Sequence, residues 1–175
     1  ATAHADKHAK LQKKAGVRSV VCYFSRPTGV GEAGNWLNLP KLNKLLRDMM
    51  KYRKAGESGV FLPEISLGLW HNFGSVDDQR VARDMIVTAF DNGVCHFDLA
   101  NNYGPEPGSA EINFGTILRR DLSGHRDEMF ISSKAGHAMW PGVYGDGSSR
   151  KNLMASCDAS LRRTGLDSFC LLYTS

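Results

Sequence analysis

The sequence lacks the features that mark a membrane protein or a disulfide-stabilised secreted domain. No apolar run approaches the roughly 18 to 20 residues that a transmembrane helix needs. The four cysteines are widely spaced and include no C-x-x-C pair, which argues against a zinc knuckle or a disulfide scaffold. The hydrophobic share of 42% and the charged share of 23% are those of an ordinary globular domain. We therefore expect a protein of a reduced, cytoplasmic setting, with no membrane partner and no metal site.

Acidic residues are scarce at the start of the chain, and this divides it into two parts. Residues 1–54 carry 12 Lys and Arg against 3 Asp and Glu, a balance of +9, whereas residues 55–175 carry 10 against 15, a balance of −5. Residues 1–48 are predicted to be a basic leader without an assignable fold, either disordered or non-native, with a targeting segment as the alternative. Its Lys and Arg lack interleaved aromatics, so nucleic acid is not an expected partner. Residues 39–50 have the spacing of a short helix with an apolar side formed by Leu42, Leu45, Leu46 and Met49.

From residue 49 onward, short apolar runs alternate with helical stretches. Two extended pieces surround a turn at residues 55–59, and strands are predicted at 65–69, 94–100, 129–136 and 169–175. A helix follows each of the first three strands. The first begins at Ser75, which forms a capping-box-like pair with Asp78, and the third begins after Ser149. The second begins at residues 107–109. Asn92-Gly93 ends the first helix and Gly165 ends the third.

Each predicted helix has one apolar face, which we expect to be buried. The residues of these faces are Val81, Ala82, Met85, Ile86, Ala89 and Phe90 in the first helix, Ile112, Phe114, Ile117 and Leu118 in the second, and Leu153, Met154, Cys157 and Leu161 in the third.

Repeated strand–helix alternation predicts an α/β fold with a parallel sheet. A doubly wound sheet usually carries a G-x-G-x-x-G turn after its first strand, and residues 67–74 contain none. A (β/α)8 TIM barrel needs no such turn and carries its chemistry at the carboxyl ends of the strands. Residues 49–175 are therefore predicted to be the first three βα units and the fourth strand of a TIM barrel.

Three residues with acid–base chemistry fall at successive strand ends. Asp98 ends the second strand, Tyr103 lies five residues later in the loop, and Lys134 ends the third strand. A phenol is a poor acid at neutral pH, but a nearby ammonium stabilises the phenolate that proton donation leaves behind. A carboxylate beside the ammonium keeps it charged and in place. The trio is thus a candidate acid assembly, although each member also has a plain structural interpretation: a cap, a packed ring and a solvated cation.

The motifs around these residues resemble the aldo-keto reductase family, and within it the bacterial L-glyceraldehyde 3-phosphate reductases, which are relatives of the potassium-channel β-subunits. The resemblance rests on FDLANNYGPEPGSAEINFG (97–115), preceded by LPEISLGLWHNF (62–73) and followed by ISSKAGHAMWPGVYGDGSSRKNL (131–153). It runs from about residue 52 to 172.

This resemblance implies a (β/α)8 barrel that reduces aldehydes or ketones with NADPH. Tyr103 would be the general acid, Lys134 and Asp98 would tune it, and Trp70 and Asp98 would lie at the nicotinamide. Trp70 also has the interpretation of a core aromatic at the barrel rim. The implied partner is a small carbonyl substrate, such as glyceraldehyde 3-phosphate or methylglyoxal, and Arg150 or Lys151 would meet a substrate phosphate. A homo-oligomer is left as an open alternative.

The chain departs from the family pattern at its end. Family members carry a fourth catalytic residue, a His in a context like Y-S-H, and Ser175 occupies that column here; His137 is a speculative substitute, and His96 is not one. Cys170 stands where the final strand usually has an acid. We expect the chain to be an N-terminal fragment that is inactive alone. The alternative is a non-catalytic binding or regulatory module resembling a potassium-channel β-subunit.

Overall fold

The computed structural model describes residues 50–174. The predicted leader over residues 1–48, all but the last residue of the predicted helix at 39–50, and Ser175 lie outside these described residues. The elements, in chain order, are β1 (Tyr52–Lys54), β2 (Phe61–Pro63), β3 (Leu67–Gly68), α1 (Gln79–Asp91), β4 (His96–Asp98), α2 (Ser109–Asp121), a 3-10 helix (Ser123–Glu128), β5 (Phe130–Ala135), α3 (Arg150–Thr164) and β6 (Leu171–Thr174).

The last four strands form one parallel sheet in the order β3-β4-β5-β6, as the alternation predicts. The register aligns Gly68 with Asp98, Asp98 with Ser132, and Lys134 with Tyr173. Helices α1, α2 and α3 fall between successive strands. The described residues thus have the strand direction and order of the first three βα units and the fourth strand of a TIM barrel.

The first two strands form a separate antiparallel hairpin. The Tyr52 hydroxyl donates a hydrogen bond to the carbonyl of Gly93, 2.8 Å away. Because Gly93 precedes β4, the hairpin contacts the end of the sheet where the strands begin. The carboxyl ends of the strands lie at the opposite end.

The two faces of the sheet differ in polarity, because successive residues of a strand point to opposite sides. One face packs against the helices, where the rings of Phe97 and Phe114 lie 5.6 Å apart. The other face carries polar side chains, including His96 and Asp98 of β4. The hydrophobic core therefore lies between the sheet and the helices, and its fully buried large side chains include Leu69, Phe73, Ile86, Phe97, Leu99, Phe114 and Ile131.

Helix α1 begins three residues later than the Ser75 start that the capping pattern predicts. Asp78 is the N-cap, and its side chain accepts a hydrogen bond from the backbone N–H of Arg80. Ser75 belongs instead to the preceding loop, where its backbone N–H donates to Ser109 Oγ at 3.1 Å. The predicted caps of α3 are confirmed: Ser149 accepts from the Asn152 N–H, and Gly165 ends the helix with φ at 71°.

Three residues of the predicted buried faces are exposed instead: Val81 at 43%, Ile112 at 49% and Met154 at 52%. The deviation is largest in α3, whose buried residues are Asn152, Ser156, Ser160 and Thr164. These side chains are small or polar because α3 packs closely on α2. A Cβ atom at Gly115 of α2 would collide with the backbone carbonyl of Thr164. Close packing of this kind leaves no room for Leu or Met.

Residues 50–174 contain neither a candidate membrane-spanning helix nor a candidate metal site. None of the helices there is long and apolar enough to cross a membrane. Nor does this part of the chain bring together three His, Cys, Asp or Glu side chains that could hold a metal ion.

Candidate active site

Parallel strand pairing brings the predicted acid–base residues to one end of the sheet. Asp98 is the last residue of β4, and Lys134 lies near the end of β5. The ladder continues past the strands, since the Asn101 N–H donates to the Lys134 carbonyl at 3.0 Å. The loop that follows β4 therefore starts beside Lys134 and leads directly to Tyr103.

Lys134 is the centre of this group. Its side chain is buried, and its Nζ donates to Asp98 Oδ2 at 2.6 Å and to the carbonyl of Leu99 at 2.7 Å. The same Nζ lies 4.7 Å from the centroid of the Tyr103 ring and 5.1 Å from that of Tyr173. A buried ammonium is tolerated only when it is paired and hydrogen-bonded, and aromatic faces add further attraction. The structure thus brings Asp98, Tyr103 and Lys134 together, with the ammonium against the ring of Tyr103.

The Asp98 carboxylate has two further partners that the sequence interpretation missed. Ser132 Oγ donates to Asp98 Oδ1 at 2.6 Å, and the Tyr173 hydroxyl donates to the same carboxylate at 3.0 and 3.1 Å. Ser132 lies two residues before Lys134, so the strand period of two places both on one face. Tyr173 is opposite Lys134 in the register of β5 and β6. Together with Lys134, these donors hold the carboxylate from several sides.

A second polar side chain of β4, His96, lies behind Ser132. Its Nε2 is 2.9 Å from Ser132 Oγ, and its Nδ1 is 2.7 Å from Ser66 Oγ. Burial lowers the pKa of His96, and the nearby Asp98 charge opposes this effect while the Lys134 charge adds to it. The imidazole is therefore neutral at physiological pH. The sequence signal for its position was the His-x-Asp spacing, which puts both side chains on one face of β4.

The two phenols near Lys134 differ in environment. The Tyr173 hydroxyl is engaged with Asp98, and burial together with the Asp98 charge raises the pKa of Tyr173 well above its ordinary value. Tyr103 is half-buried, and within residues 50–174 no hydrogen bond engages its hydroxyl. The Tyr173 hydroxyl therefore stays protonated and donates its hydrogen bond to Asp98, whereas the Tyr103 hydroxyl remains available to a substrate.

Trp70 lies at the same rim, just after β3. It is 41% exposed, and its ring stacks on Tyr103 with 6.1 Å between centroids and on His71 with 4.5 Å. Asn113 of α2 holds this loop through bonds from Nδ2 to the carbonyls of Phe73 and Gly74, at 2.9 and 3.0 Å. The aromatic pair is thereby attached to the helix that follows the Tyr103 loop.

The loop between β5 and α3 carries the remaining residues considered from the sequence. Arg150 and Lys151 begin α3 and are exposed, and Lys151 Nζ lies 5.0 Å from the centroid of the Tyr144 ring. His137 is half-buried in the same loop, three residues after Lys134. Neither cation is paired with the Asp98 carboxylate, whose ammonium partner is Lys134.

Comparison with known proteins finds a matching family and several similar proteins. Residues 64–174 match the model of the Aldo/keto reductase family. Over 125 residues the chain is 58% identical to the L-glyceraldehyde 3-phosphate reductase of Escherichia coli strain K12, covering 71% of this chain and 36% of that protein. It is 34% identical over 126 residues to an Arabidopsis thaliana protein named as a voltage-gated potassium channel subunit beta, covering 71% of this chain and 37% of that protein.

A solved structure points the same way. It belongs to a Pseudomonas aeruginosa protein assigned to the aldo-keto reductases, and the match has a TM-score of 0.58 at 28% identity, covering 74% of this chain and 47% of that one. The family resemblance carried by the motifs is therefore confirmed. The chain spans little more than a third of the length of the curated relatives that it matches.

Proposed function

Because the chain belongs to the aldo-keto reductase family, we propose that it supplies the proton-donating part of an NADPH-dependent reductase of small aldehydes and ketones. The observation that supports this most is the buried Lys134 ammonium, which pairs with Asp98 at 2.6 Å and lies 4.7 Å from the Tyr103 ring centroid. Since the chain spans about a third of its relatives' length, the activity is proposed for a full-length protein in which further strands close the barrel.

The rim beyond β3 and β4 has groups that fit the nicotinamide end of NADPH. Trp70 offers a partly exposed aromatic face beside Tyr103. The Asn101 amide is 1% exposed, and neither of its polar side-chain atoms has a partner among residues 50–174. Unpaired buried polar atoms are rare, and such an amide suits a ligand that both donates and accepts hydrogen bonds, as a carboxamide does. Trp70 and Asp98 are proposed to contact the cofactor here.

In the proposed mechanism, Tyr103 gives its proton to the carbonyl oxygen of the substrate. When bound, NADPH supplies the hydride that the carbonyl carbon receives. As the C=O π pair moves to oxygen, the Tyr103 O–H bond would break and the alcohol O–H bond would form. Lys134 offsets the negative charge left on Tyr103, and Asp98 with the Leu99 carbonyl holds the ammonium in place.

The proposed substrates are small aldehydes, with L-glyceraldehyde 3-phosphate and methylglyoxal as the leading candidates. The name of the 58% identical Escherichia coli relative supports the first of these. A phosphate group favours the N-terminus of a helix and nearby cations, and α3 begins with Arg150 and Lys151. We propose that Arg150 meets the substrate phosphate, since Lys151 already lies on the Tyr144 ring.

The decisive test is Tyr103→Phe in the full-length protein. We expect kcat to fall by at least about 100-fold, because a positioned general acid contributes roughly that factor or more. NADPH affinity should stay within about threefold of the wild type, since the substitution removes one oxygen atom and keeps the ring that stacks on Trp70. NADPH oxidation and cofactor fluorescence measure the two quantities.

Tyr52→Phe is the matched control. It also removes one phenolic oxygen, but its hydrogen bond goes to Gly93 at the far end of the sheet. Its kcat should equal that of the wild type. Unchanged turnover in Tyr103→Phe would reject Tyr103 as the acid.

The second candidate is a binding or regulatory module, suggested by the 34% identity to the channel subunit beta. It predicts that the full-length protein binds NADPH but reduces none of these carbonyls. The assembled Asp98, Tyr103 and Lys134 favour the enzyme.

A further inference from the structure

A chain of hydrogen bonds below Asp98 has no task in the mechanism above. It links Ser66, His96 and Ser132 to the carboxylate. Ser66 is 3% exposed, His96 is 8% exposed and Ser132 is 0% exposed. Polar groups buried this deeply are costly unless they are satisfied, and a fully satisfied network fixes one arrangement. Each polar side-chain atom in this series of hydrogen bonds has a partner, which raises the question of what arrangement the series fixes.

The direction of every bond in the chain follows from the chemistry of its ends. The Asp98 carboxylate can only accept, so Ser132 uses its one proton on Asp98 Oδ1 at 2.6 Å. Ser132 Oγ must then accept from His96 Nε2, 2.9 Å away. Nε2 therefore carries the proton, and Nδ1 of the neutral imidazole accepts from Ser66 Oγ at 2.7 Å. All three donors point toward Asp98.

The surroundings of His96 favour this tautomer. Asp98 on the same strand and Lys134 on β5 are the charged groups that act on the ring, and the Phe130 ring of β5 meets it edge-on at 5.2 Å. Burial lowers the pKa of His96, so Nδ1 stays free to accept. The Nε2–H donor is thus a fixed feature of the site at neutral pH.

We propose that His96 is a positioning residue, whose Nε2–H fixes the Ser132 hydroxyl so that Ser132 holds the Asp98 carboxylate in the orientation that pairs with Lys134. The effect on catalysis rests on the proposed function, because it is carried to the substrate through Asp98, Lys134 and Tyr103. His96 itself contacts neither substrate nor cofactor in this proposal.

The test compares two amides at position 96 in the full-length protein. The glutamine Nε2 can occupy the place of the imidazole Nε2, whereas the asparagine amide is one methylene too short to reach Ser132. We expect His96→Gln to retain kcat within about threefold and His96→Asn to lose about tenfold or more. A loss of that size is typical when a residue that orients a metal ligand through a hydrogen bond is removed. The KM for the carbonyl substrate should change little in either variant. Equal kcat values for the two variants would overturn the proposal.

A double-mutant cycle separates positioning from general stability. His96→Asn and Ser132→Ala act on the same path, so the double variant should be no worse in kcat than the poorer single variant. If instead the kcat losses of the two single variants multiply in the double variant, and these losses parallel the drop in melting temperature, His96 is a structural residue and the proposal is rejected.

A measurement without turnover keeps the two proposals distinguishable. The 15N chemical shifts of His96 should report a neutral ring protonated at Nε2 at pH 7, and a ring protonated at Nδ1 would overturn the relay. Absence of carbonyl reduction in the wild type, together with the Nε2–H tautomer, would reject the proposed function and leave the hydrogen-bond chain supported.

Discussion

Two tyrosine rings, Tyr103 and Tyr173, face the Lys134 ammonium at 4.7 and 5.1 Å, and their hydroxyl groups are in different situations. Tyr173 donates to Asp98, and burial and that carboxylate raise its pKa. A phenol held this way resists giving its proton to a substrate. The electrostatics of single residues therefore favour Tyr103 over Tyr173 for the proposed acid role, although both rings lie next to the same cation.

Tyr173→Phe tests this distinction in the full-length protein. It removes one of the donors of Asp98 while Ser132 and Lys134 remain, so we expect kcat to fall by about tenfold or less. The loss should be far smaller than in Tyr103→Phe, measured by NADPH oxidation under the same conditions. A kcat loss in Tyr173→Phe that equals the loss in Tyr103→Phe would show that the acid has been assigned to the wrong phenol.

The sequence predicted that Asp98, Tyr103 and Lys134 lie together but did not predict the side chains that support them, and the reason is physical. Asp98 ends β4 and Lys134 lies near the end of the neighbouring parallel strand β5, and parallel pairing alone brings such residues to one rim. The contacts of Ser132, Tyr173 and His96 depend on the register between strands, which local patterns do not encode. The family resemblance implied a position at the rim for Trp70, but its stacking on Tyr103 needs the loop held by Asn113.

At the scale of elements, the strands and helices were predicted from periodicity, whereas the buried face of α3 was not. Amphipathic periodicity predicted burial of Met154, which is 52% exposed. The face that α3 turns inward carries Ser156, Ser160 and Thr164, because Gly115 lets the backbones of α2 and α3 approach each other. The polarity of a side chain does not predict its burial where two backbones approach so closely that only small side chains fit between them. An ion pair between the buried Glu111 and the partly exposed Arg163, 2.8 Å long, joins the same two helices.

This contact predicts the effect of adding one methyl group to α2. Inside a helix, alanine is normally favoured over glycine by about 1 kcal/mol. Gly115→Ala should nevertheless lower the free energy of unfolding of the full-length protein by about 1–3 kcal/mol, since its methyl group meets the backbone carbonyl of Thr164, which cannot rotate away. Urea denaturation followed by circular dichroism measures the change.

Gly124→Ala provides the matched control for this prediction. A Cβ atom there meets nothing within 4 Å, so its effect should stay within about 0.5 kcal/mol. Equal stability of the Gly115→Ala and Gly124→Ala variants would contradict the close helix contact.

At the scale of the whole molecule, the four-stranded sheet has two unpaired edges within residues 50–174, along β3 and along β6. An apolar groove runs between the free edge of β3 and helix α1, lined by side chains that include Ile65, Leu67, Val81, Met85, Ala89 and Val94. On β6, Leu171 is 45% exposed. Further strands and helices of a closed barrel would cover these surfaces, which also explains why Val81 has the pattern of a buried residue and is exposed here.

These open surfaces predict how the 175-residue chain behaves by itself. We expect no cooperative thermal unfolding and no measurable NADPH-dependent reduction of glyceraldehyde 3-phosphate, because unpaired edges and an uncovered apolar groove promote association over a unique fold. The control joins residues 50–174 to the remaining barrel units of the Escherichia coli reductase, which is 58% identical over the shared 125 residues. That fusion should unfold in a single transition and reduce the substrate, since β3 and β6 then gain neighbours and the rim around Tyr103 is complete. Circular dichroism melting and NADPH oxidation test both proteins. A single sharp transition combined with turnover in the 175-residue chain would mean that four strands suffice for the fold and its chemistry.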